Sequence, residues 1–331
     1  MRVWITGIFV LCIFLRLSTS INAQAIEPKS SVDLKSLTIY ATGNTNGYLE
    51  PCPCSKELLG GVAIRAGIFQ PIRRFQPSLH NDSLGRYYLL LDAGNRLSAH
   101  RKLEAEASAI GSLFQKLNYD ALNIGWQDLR LGARHLKKQK KLPFVAANIF
   151  DAKGKSFLPK YRILKRGKKQ IAIIGILSKD AFMLLDSLER KEYFWIKEDS
   201  AIGLVLQELN DKTIDAVILL SNSYDPEVEK KLLFAFPKIN GMITTSEIYL
   251  KEESEVLKIG ETERGKFIVS TGHDGEFVSS VKLSTHRSHH ETSENELIVE
   301  AMFPILLKPY LTKDESIQKE VKMIQKKFET P

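Results

Sequence analysis

The sequence predicts a single layered α/β domain, and three observations point there. From Leu37 to about residue 250, short apolar runs alternate with longer amphipathic stretches, the pattern of strands and helices taken in turn. The apolar runs are hydrophobic on consecutive residues, as in strands covered on both faces. The composition, 44% hydrophobic and 26% charged over 331 residues, belongs to a globular chain able to bury a core.

Taken in order, the chain opens with an export signal. Arg2 precedes an apolar run from Val3 to Leu15, and Ala23 and Ala25 supply an Ala-x-Ala end, so residues 1–25 read as a secretory signal peptide. The run is short for a bilayer span. Arg16 at its end makes an uncleaved signal anchor the alternative, so the expected location is periplasmic or extracellular, with retention at the membrane if the anchor stays. Val10 and Leu11 before Cys12 are too large for a lipoprotein signal. Residues 26–36 are polar and read as a linker.

The predicted strands are Leu37–Ala41, Tyr87–Leu91, Ala121–Ile124, Phe144–Ala147, Ile171–Ile176 and Ala216–Leu220. Helices are expected at Leu103–Leu117 and Ile202–Asn210, where Leu204, Leu206 and Leu209 are spaced to share one side. After residue 250, Val256–Gly260, Lys266–Thr271 and Glu276–Leu283 read as short strands joined by glycine-containing turns, an antiparallel finish. His286–Asn295 reads as a polar loop. Glu296–Lys327 is expected to be mainly helical and broken by Pro304 and Pro309. The expected domain is therefore 37–285, with residues 286–331 as a loop and helical extension.

The formal charge of +8 falls to +6 once Arg2 and Arg16 leave with the signal. Much of the excess lies in Arg130, Arg134, His135, Lys137, Lys138, Lys140 and Lys141, followed by Lys165, Arg166, Lys168 and Lys169. Such runs form solvated faces or meet an anionic ligand or surface. An exported chain without a recognised nucleic-acid module is not expected to bind nucleic acid.

Chemistry is sought at the carboxyl ends of the strands, where ligands of α/β sheets collect. Four segments each run from an apolar strand into Gly, Asn or Asp: Thr38–Gly47, Leu89–Asn95, Asn118–Asp128 and Ile214–Asn222. Their order and spacing resemble the two-metal calcineurin-like phosphoesterases, in particular the 5′-nucleotidase branch. That family carries Asp-x-His, Gly-Asp, Tyr-Asp-Ala followed by Gly-Asn-His-Glu/Asp, a strand ending in His, and Gly-His-x-His. Gly60–Arg65 is similar to its Gly-Gly-x-Ala-Arg helix start. The resemblance covers Leu37 to Leu283 and implies a metallophosphoesterase β-sandwich flanked by helices, without the C-terminal domain of complete 5′-nucleotidases.

Against that pattern the ligands are substituted. Asn44 and Asn46 stand for Asp-x-His, Asn95 for the bridging aspartate, and Gly125-Trp126-Gln127-Asp128 for Gly-Asn-His-Asp. Asn222 replaces the next histidine, and no histidine occurs in Thr244–Ile248, where the last motif falls. Two divalent cations such as Mn, Zn or Mg need several anionic oxygens or imidazoles, and neutral amides are poorer partners. The substitutions predict a pseudoenzyme rather than a two-metal hydrolase; a residual metal-dependent phosphoesterase working through Asp128, Asn44, Asn95 and recruited histidines, and a non-catalytic binding module, are the alternatives. Trp126 is expected to fill the vacated metal cavity. His286, His289 and His290 read as solvated loop residues.

Beyond the signal, the cysteines are Cys52 and Cys54, in Leu49-Glu50-Pro51-Cys52-Pro53-Cys54. Extended residues two apart have Cα atoms roughly 6–7 Å apart, near the upper end of disulfide geometry. Three uses remain open: a static disulfide stiffening the loop, an exchange-active dithiol with a thiol-disulfide partner, and a soft-metal chelate. The loop resembles a bacterial subgroup of 5′-nucleotidase-like proteins with Leu-Glu-Pro-Cys-x-Cys, some carrying selenocysteine last. That resemblance implies thiol or selenol chemistry on a phosphoesterase scaffold.

Overall fold

Six strands make up each of two mixed sheets, and the chain visits the first sheet, then the second, then the first again. The computed structural model describes residues 36–53, 56–74, 86–100, 103–253, 256–286 and 296–328. The signal peptide, all but the last residue of the linker, Cys54, His289 and His290 lie outside them. Residues Ser31–Pro331 form one compact unit.

The first sheet runs, edge to edge, Glu296–Leu306, Phe277–His286, Ser36–Thr42, Arg86–Asp92, Ala121–Asn123 and Phe144–Val145. Its last four strands are parallel, and the first two join antiparallel. The second sheet runs Gly260–Glu263, Lys266–Ser270, Gly241–Thr244, Ala216–Asn222, Lys169–Leu177 and Tyr161–Arg166, with a parallel centre and antiparallel edges.

Strand side chains alternate between faces, and here both faces are covered. One face of each sheet meets the other sheet, so Ile39, Leu89 and Leu91 pack with Ile173, Ile218 and Val269. The outer face of the first sheet places Tyr88, Leu90 and Leu122 under helices Val62–Arg74, Glu104–Leu117 and Glu315–Phe328. The outer face of the second places Ile174, Val217 and Leu219 under helices Glu198–Glu208 and Pro226–Ala235. Four layers result: helices, sheet, sheet, helices. Complete burial of Ala216–Asn222 accounts for its unbroken apolar run. Among the described residues no helix is long and apolar enough to cross a membrane.

All six predicted strands of the alternating region are present, and three further ones, Tyr161–Arg166, Gly241–Thr244 and Gly260–Glu263, complete the second sheet. Tyr161–Arg166 is an edge strand with Arg162 and Lys165 exposed, and Gly241–Thr244 is only four residues long. In helix Glu198–Glu208 the buried side is Ala201, Ile202, Val205 and Leu206, while Leu204 is 52% exposed. The expected grouping with Leu204 is corrected, because one residue is about 100° of rotation.

The C-terminal expectation also changes. Glu296–Leu306 is an edge strand, antiparallel to Phe277–His286, and only Glu315–Phe328 is helical. Pro304 is compatible with this place, because an edge position tolerates a missing N–H. The final helix starts at Asp314, whose carboxylate accepts the N–H groups of Ser316 and Ile317 at 3.0 and 3.1 Å. It buries Ile317, Val321 and Ile324. Gly67 lets the chain approach here, since a Cβ on it would strike the carbonyl of Thr312.

Asn123 ties the sheets together where their carboxyl ends meet. Its Nδ2 donates to the carbonyls of Ile176 at 2.9 Å, Leu220 at 3.0 Å and Ala93 at 3.3 Å, spanning both sheets. Asn123→Asp would turn these attractions into carboxylate–carbonyl repulsion in a dry site, so we expect a loss of roughly 3–5 kcal/mol at neutral pH. Urea unfolding measures it; a loss below about 1 kcal/mol would show that the link carries little.

Candidate functional site

The parallel strands bring the predicted residues to one edge of the two sheets. Ser36–Thr42 leads into Asn44 and Asn46, Arg86–Asp92 into Asn95, Ala121–Asn123 into residues 125–128, and Ala216–Asn222 ends on Asn222. Three of these asparagines have left-handed backbones, with φ of 45° at Asn44, 52° at Asn46 and 60° at Asn95. Asparagine tolerates that region better than most residues with a Cβ. Gly43 precedes them because a Cβ there would lie 2.5 Å from Oγ1 of Thr271.

The amides bind one another and the backbone. Nδ2 of Asn44 donates to the carbonyls of Gly272 at 2.8 Å and Thr245 at 2.9 Å, which turns its Oδ1 toward Asn95. Nδ2 of Asn95 donates to that oxygen at 3.0 Å and to the Tyr224 hydroxyl at 3.1 Å. Nδ2 of Asn222 donates to Oγ1 of Thr245 at 2.9 Å, and its Oδ1 accepts the Trp126 N–H at 3.3 Å. Thr245 therefore anchors both Asn44 and Asn222, in the stretch where the last motif was sought. Trp126 lies at the rim, not in a cavity: it is only partly buried, and its indole N–H donates to Tyr224 at 3.2 Å.

Asp128 is fully buried and spent on structure. Its Oδ2 accepts the N–H groups of Gly125 at 2.9 Å and Asn95 at 3.1 Å. Its Oδ1 accepts the Arg96 N–H at 3.2 Å and faces that guanidinium at 3.3 Å. The Arg96 cation also lies 4.4 Å above the Phe144 ring. Asp128 thus shapes the Asn95 loop rather than facing the opening.

Asn46 donates to Oδ1 of Asp274 at 2.9 Å. Oδ1 of Asn46, Oδ1 of Asn95 and Oε1 of Gln127 are buried without a hydrogen-bond partner among the described residues. Asn46, Gln127 and Asp274 border a cleft of about 630 Å³ that continues along Tyr48, Glu50, Pro51 and Pro53. Cys52, between those prolines, is fully buried and disulfide-bonded. Its loop is held at both ends: Pro51 bridges Gly60, and the Cys52 N–H donates to the Leu59 carbonyl at 2.9 Å.

Sequence reasoning missed His273, Asp274 and Tyr224. The imidazole of His273 faces Asp274 at 3.7 Å and Glu276 at 3.5 Å. Hydrogen bonding to Asp274, then the charges of Glu276 and Glu247, push it up to about 9. Its signal was the sequence Gly272-His273-Asp274-Gly275, read only as a turn between strands. Among the described residues no three His, Cys, Asp or Glu side chains converge as a metal site.

Behind the asparagines lies a buried polar cluster. Oγ1 of Thr42 donates to Asp92 at 2.6 Å and shares a hydrogen bond with Tyr119 at 2.8 Å. Arg65, fully buried, reaches Oγ1 of Thr45 at 3.2 Å. Desolvation pushes the Asp92 carboxyl up to about 6, against the opposing effects of Thr42, Arg96 and Arg65.

With this geometry in view, the chain was compared with known proteins. No family model matches it, and no curated protein matches it in sequence. Solved structures do match in fold. The 5′-nucleotidase precursor of Thermus thermophilus superposes with a TM-score of 0.70 at 18% identity, over 88% of this chain and 59% of that one. The calcineurin-like phosphoesterase YfkN of Bacillus subtilis gives 0.67 at 15% identity, over 88% and 97%. The sulfate thiohydrolase SoxB of Thermus thermophilus gives 0.68 at 13% identity, over 88% and 61%. The fold is that of the calcineurin-like phosphoesterases. The chain spans about three fifths of the length of that 5′-nucleotidase.

The Asp92 carboxyl has a pH consequence. Its folded value, about 6, lies above the ordinary 3.8, so the folded state holds the proton more tightly. Its favourable contribution is complete below about pH 4 and is lost as pH rises through 6, a change of about 3 kcal/mol. Asp92→Asn should remove that slope, so its stability relative to the parent should rise between pH 4 and 7. Urea titrations across that range check this, and a constant difference would show that Asp92 ionises normally.

Proposed function

We propose that this chain is an exported, nucleotidase-like phosphoesterase-fold protein that has left two-metal hydrolysis and works through the Cys52–Cys54 loop on the rim of the old cleft. One observation carries the positive half: Cys52 is disulfide-bonded in a loop whose flanking prolines line the cleft. A disulfide sulfur is not available as the thiolate a soft metal requires, which favours exchange over chelation. Cys54, two residues away, is the proposed partner.

The step is a two-electron exchange. A thiolate of a partner dithiol attacks one sulfur of the pair, the S–S bond breaks, and the other sulfur leaves as a thiolate. The partner's second thiol, on losing its proton, displaces the mixed disulfide. The pair ends as two thiols, and the partner is oxidised to a disulfide. Because Cys52 has no exposed surface, the first attack falls on the Cys54 sulfur.

The loss of hydrolysis follows from the donor set. The Asn44 and Asn222 oxygens are engaged by N–H donors, and both oxygens of Asp128 face backbone and guanidinium N–H groups. Three neutral amide oxygens, on Asn46, Asn95 and Gln127, remain unpartnered among the described residues. That set does not fit two divalent cations, which bind through converging anionic oxygens and imidazoles. In this reading the Asn95 N–H group takes the place a bridging cation would otherwise hold between the two strand ends.

Metal content and free thiols of the purified chain, before and after mild reduction, test both halves. The expected result is no stoichiometric Mn, Zn or Mg, and two thiols released by reduction. Cys54→Ser should abolish the stoichiometric oxidation of a dithiol such as dihydrolipoamide, one equivalent per disulfide, while leaving the unfolding midpoint near that of the reduced parent. Retention of roughly two metal equivalents in a Cys52→Ser/Cys54→Ser variant, with hydrolysis of a phosphate ester, would restore the hydrolase.

A further inference from the structure

Helix Gly132–Lys138, the turn that follows it and the loop after Asp151 enclose a second cavity of about 520 Å³. None of its lining residues borders the cleft described above. Its floor is apolar: Leu136, Leu142 and Phe144 are buried, and Phe157 and Leu158 half-buried. Its rim is cationic, with Lys137, Lys140, Lys155 and Arg162 all exposed. Lys137 is paired with Asp151 at 3.2 Å. Among the described residues no carboxylate lies within ion-pair distance of Lys140, Lys155 or Arg162.

The same face continues. A neighbouring cavity of about 360 Å³ shares Gln139, Lys140 and Leu142 with the first and adds Lys138 and Lys141. Lys138 is paired with the exposed Glu104 at 2.8 Å; Lys141 has no such partner among the described residues. Four cations thus crowd two adjoining concavities without a counter-charge from the protein. His135 lines the neighbouring cavity without adding a charge, and Arg166 lies outside both. His135 is buried, with its pKa lowered by desolvation, and Arg166 is buried against Asp120 at 2.6 Å.

Cations that repel one another around an apolar floor favour a ligand with an anionic head and a hydrocarbon part. Free phosphate would leave the floor wet, and a neutral lipid would leave the rim unpaired. Two concavities side by side offer room for neighbouring headgroups of one surface. We propose that this face is a binding site for acidic phospholipid presented by a bilayer. Headgroup phosphates are held by Lys140, Lys155 and Arg162, and the upper acyl chain lies against Phe157 and Leu158. The site docks the domain on a membrane independently of the chemistry of the cleft.

Co-sedimentation of the full chain with phosphatidylcholine vesicles, with and without phosphatidylglycerol, tests this. The quantity read is the increase in partition due to phosphatidylglycerol, so association through the apolar N-terminal run cancels. Lys140→Glu/Arg162→Glu should lower that increase at least about tenfold. Lys191→Glu/Lys322→Glu, the same charge change at exposed lysines elsewhere, should lower it far less. Circular dichroism establishes that both variants are folded. No dependence on phosphatidylglycerol, or equal losses in the two variants, would overturn the site. Saturable binding of decanoate or inorganic phosphate without vesicle association would overturn the bilayer as its source.

Discussion

Amide N–H groups aimed at backbone carbonyls hold the site end of the molecule together. Strand ends leave carbonyls without ladder partners, and buried carbonyls need donors. Asn123 supplies donors to three of them across the two sheets, Asn44 to two, and Asn148 to those of Leu177 and Ile196. Everything facing the opening depends on this arrangement. Once Asn44 points its Nδ2 at Thr245 and Gly272, its oxygen is committed to Asn95, and Asn95 in turn to Tyr224.

The amides at the strand ends therefore form a bonded network. Two carboxylates facing each other at such range would repel and require a cation between them. Two amides join directly, one donating and one accepting. Asp128, the acid retained from the resembling motif, joins the same logic by gathering the N–H groups of the Asn95 loop. The polar groups at the strand ends thus meet one another's hydrogen-bonding demand from within. The cleft and the basic face are then separate surfaces, with the Cys52 loop bordering only the first.

Much of this was legible in the residues. The four strand-end segments were placed in order, and the structure brings Asn44, Asn95, Gln127, Asp128 and Asn222 to one edge, with Asn46 bonded to Asp274. Two kinds of feature escaped. Tyr161–Arg166 is half-exposed and charged, so it lacked the unbroken apolar run by which the buried strands were recognised. Glu296–Leu306 was expected to be helical because its pairing partner is decisive, and strand pairing is a property of the neighbour as much as of the segment. Trp126 was placed in a cavity from its size alone; its position at the rim follows from Tyr224, far away in sequence.

By itself the sequence determined the layered α/β class, the strand ends where polar residues collect, the amides that stand at those ends, and two cysteines two residues apart in the loop after the first strand. These are matters of periodicity, composition and local spacing, which the chain carries residue by residue. Only the tertiary structure decided which amide donates to which oxygen, that Asp128 faces inward, that Tyr224 meets Asn95 and Trp126, and that the basic stretch divides into buried and exposed members. Those outcomes depend on distances between residues remote in sequence, and burial sets the strength of each contact once water is gone.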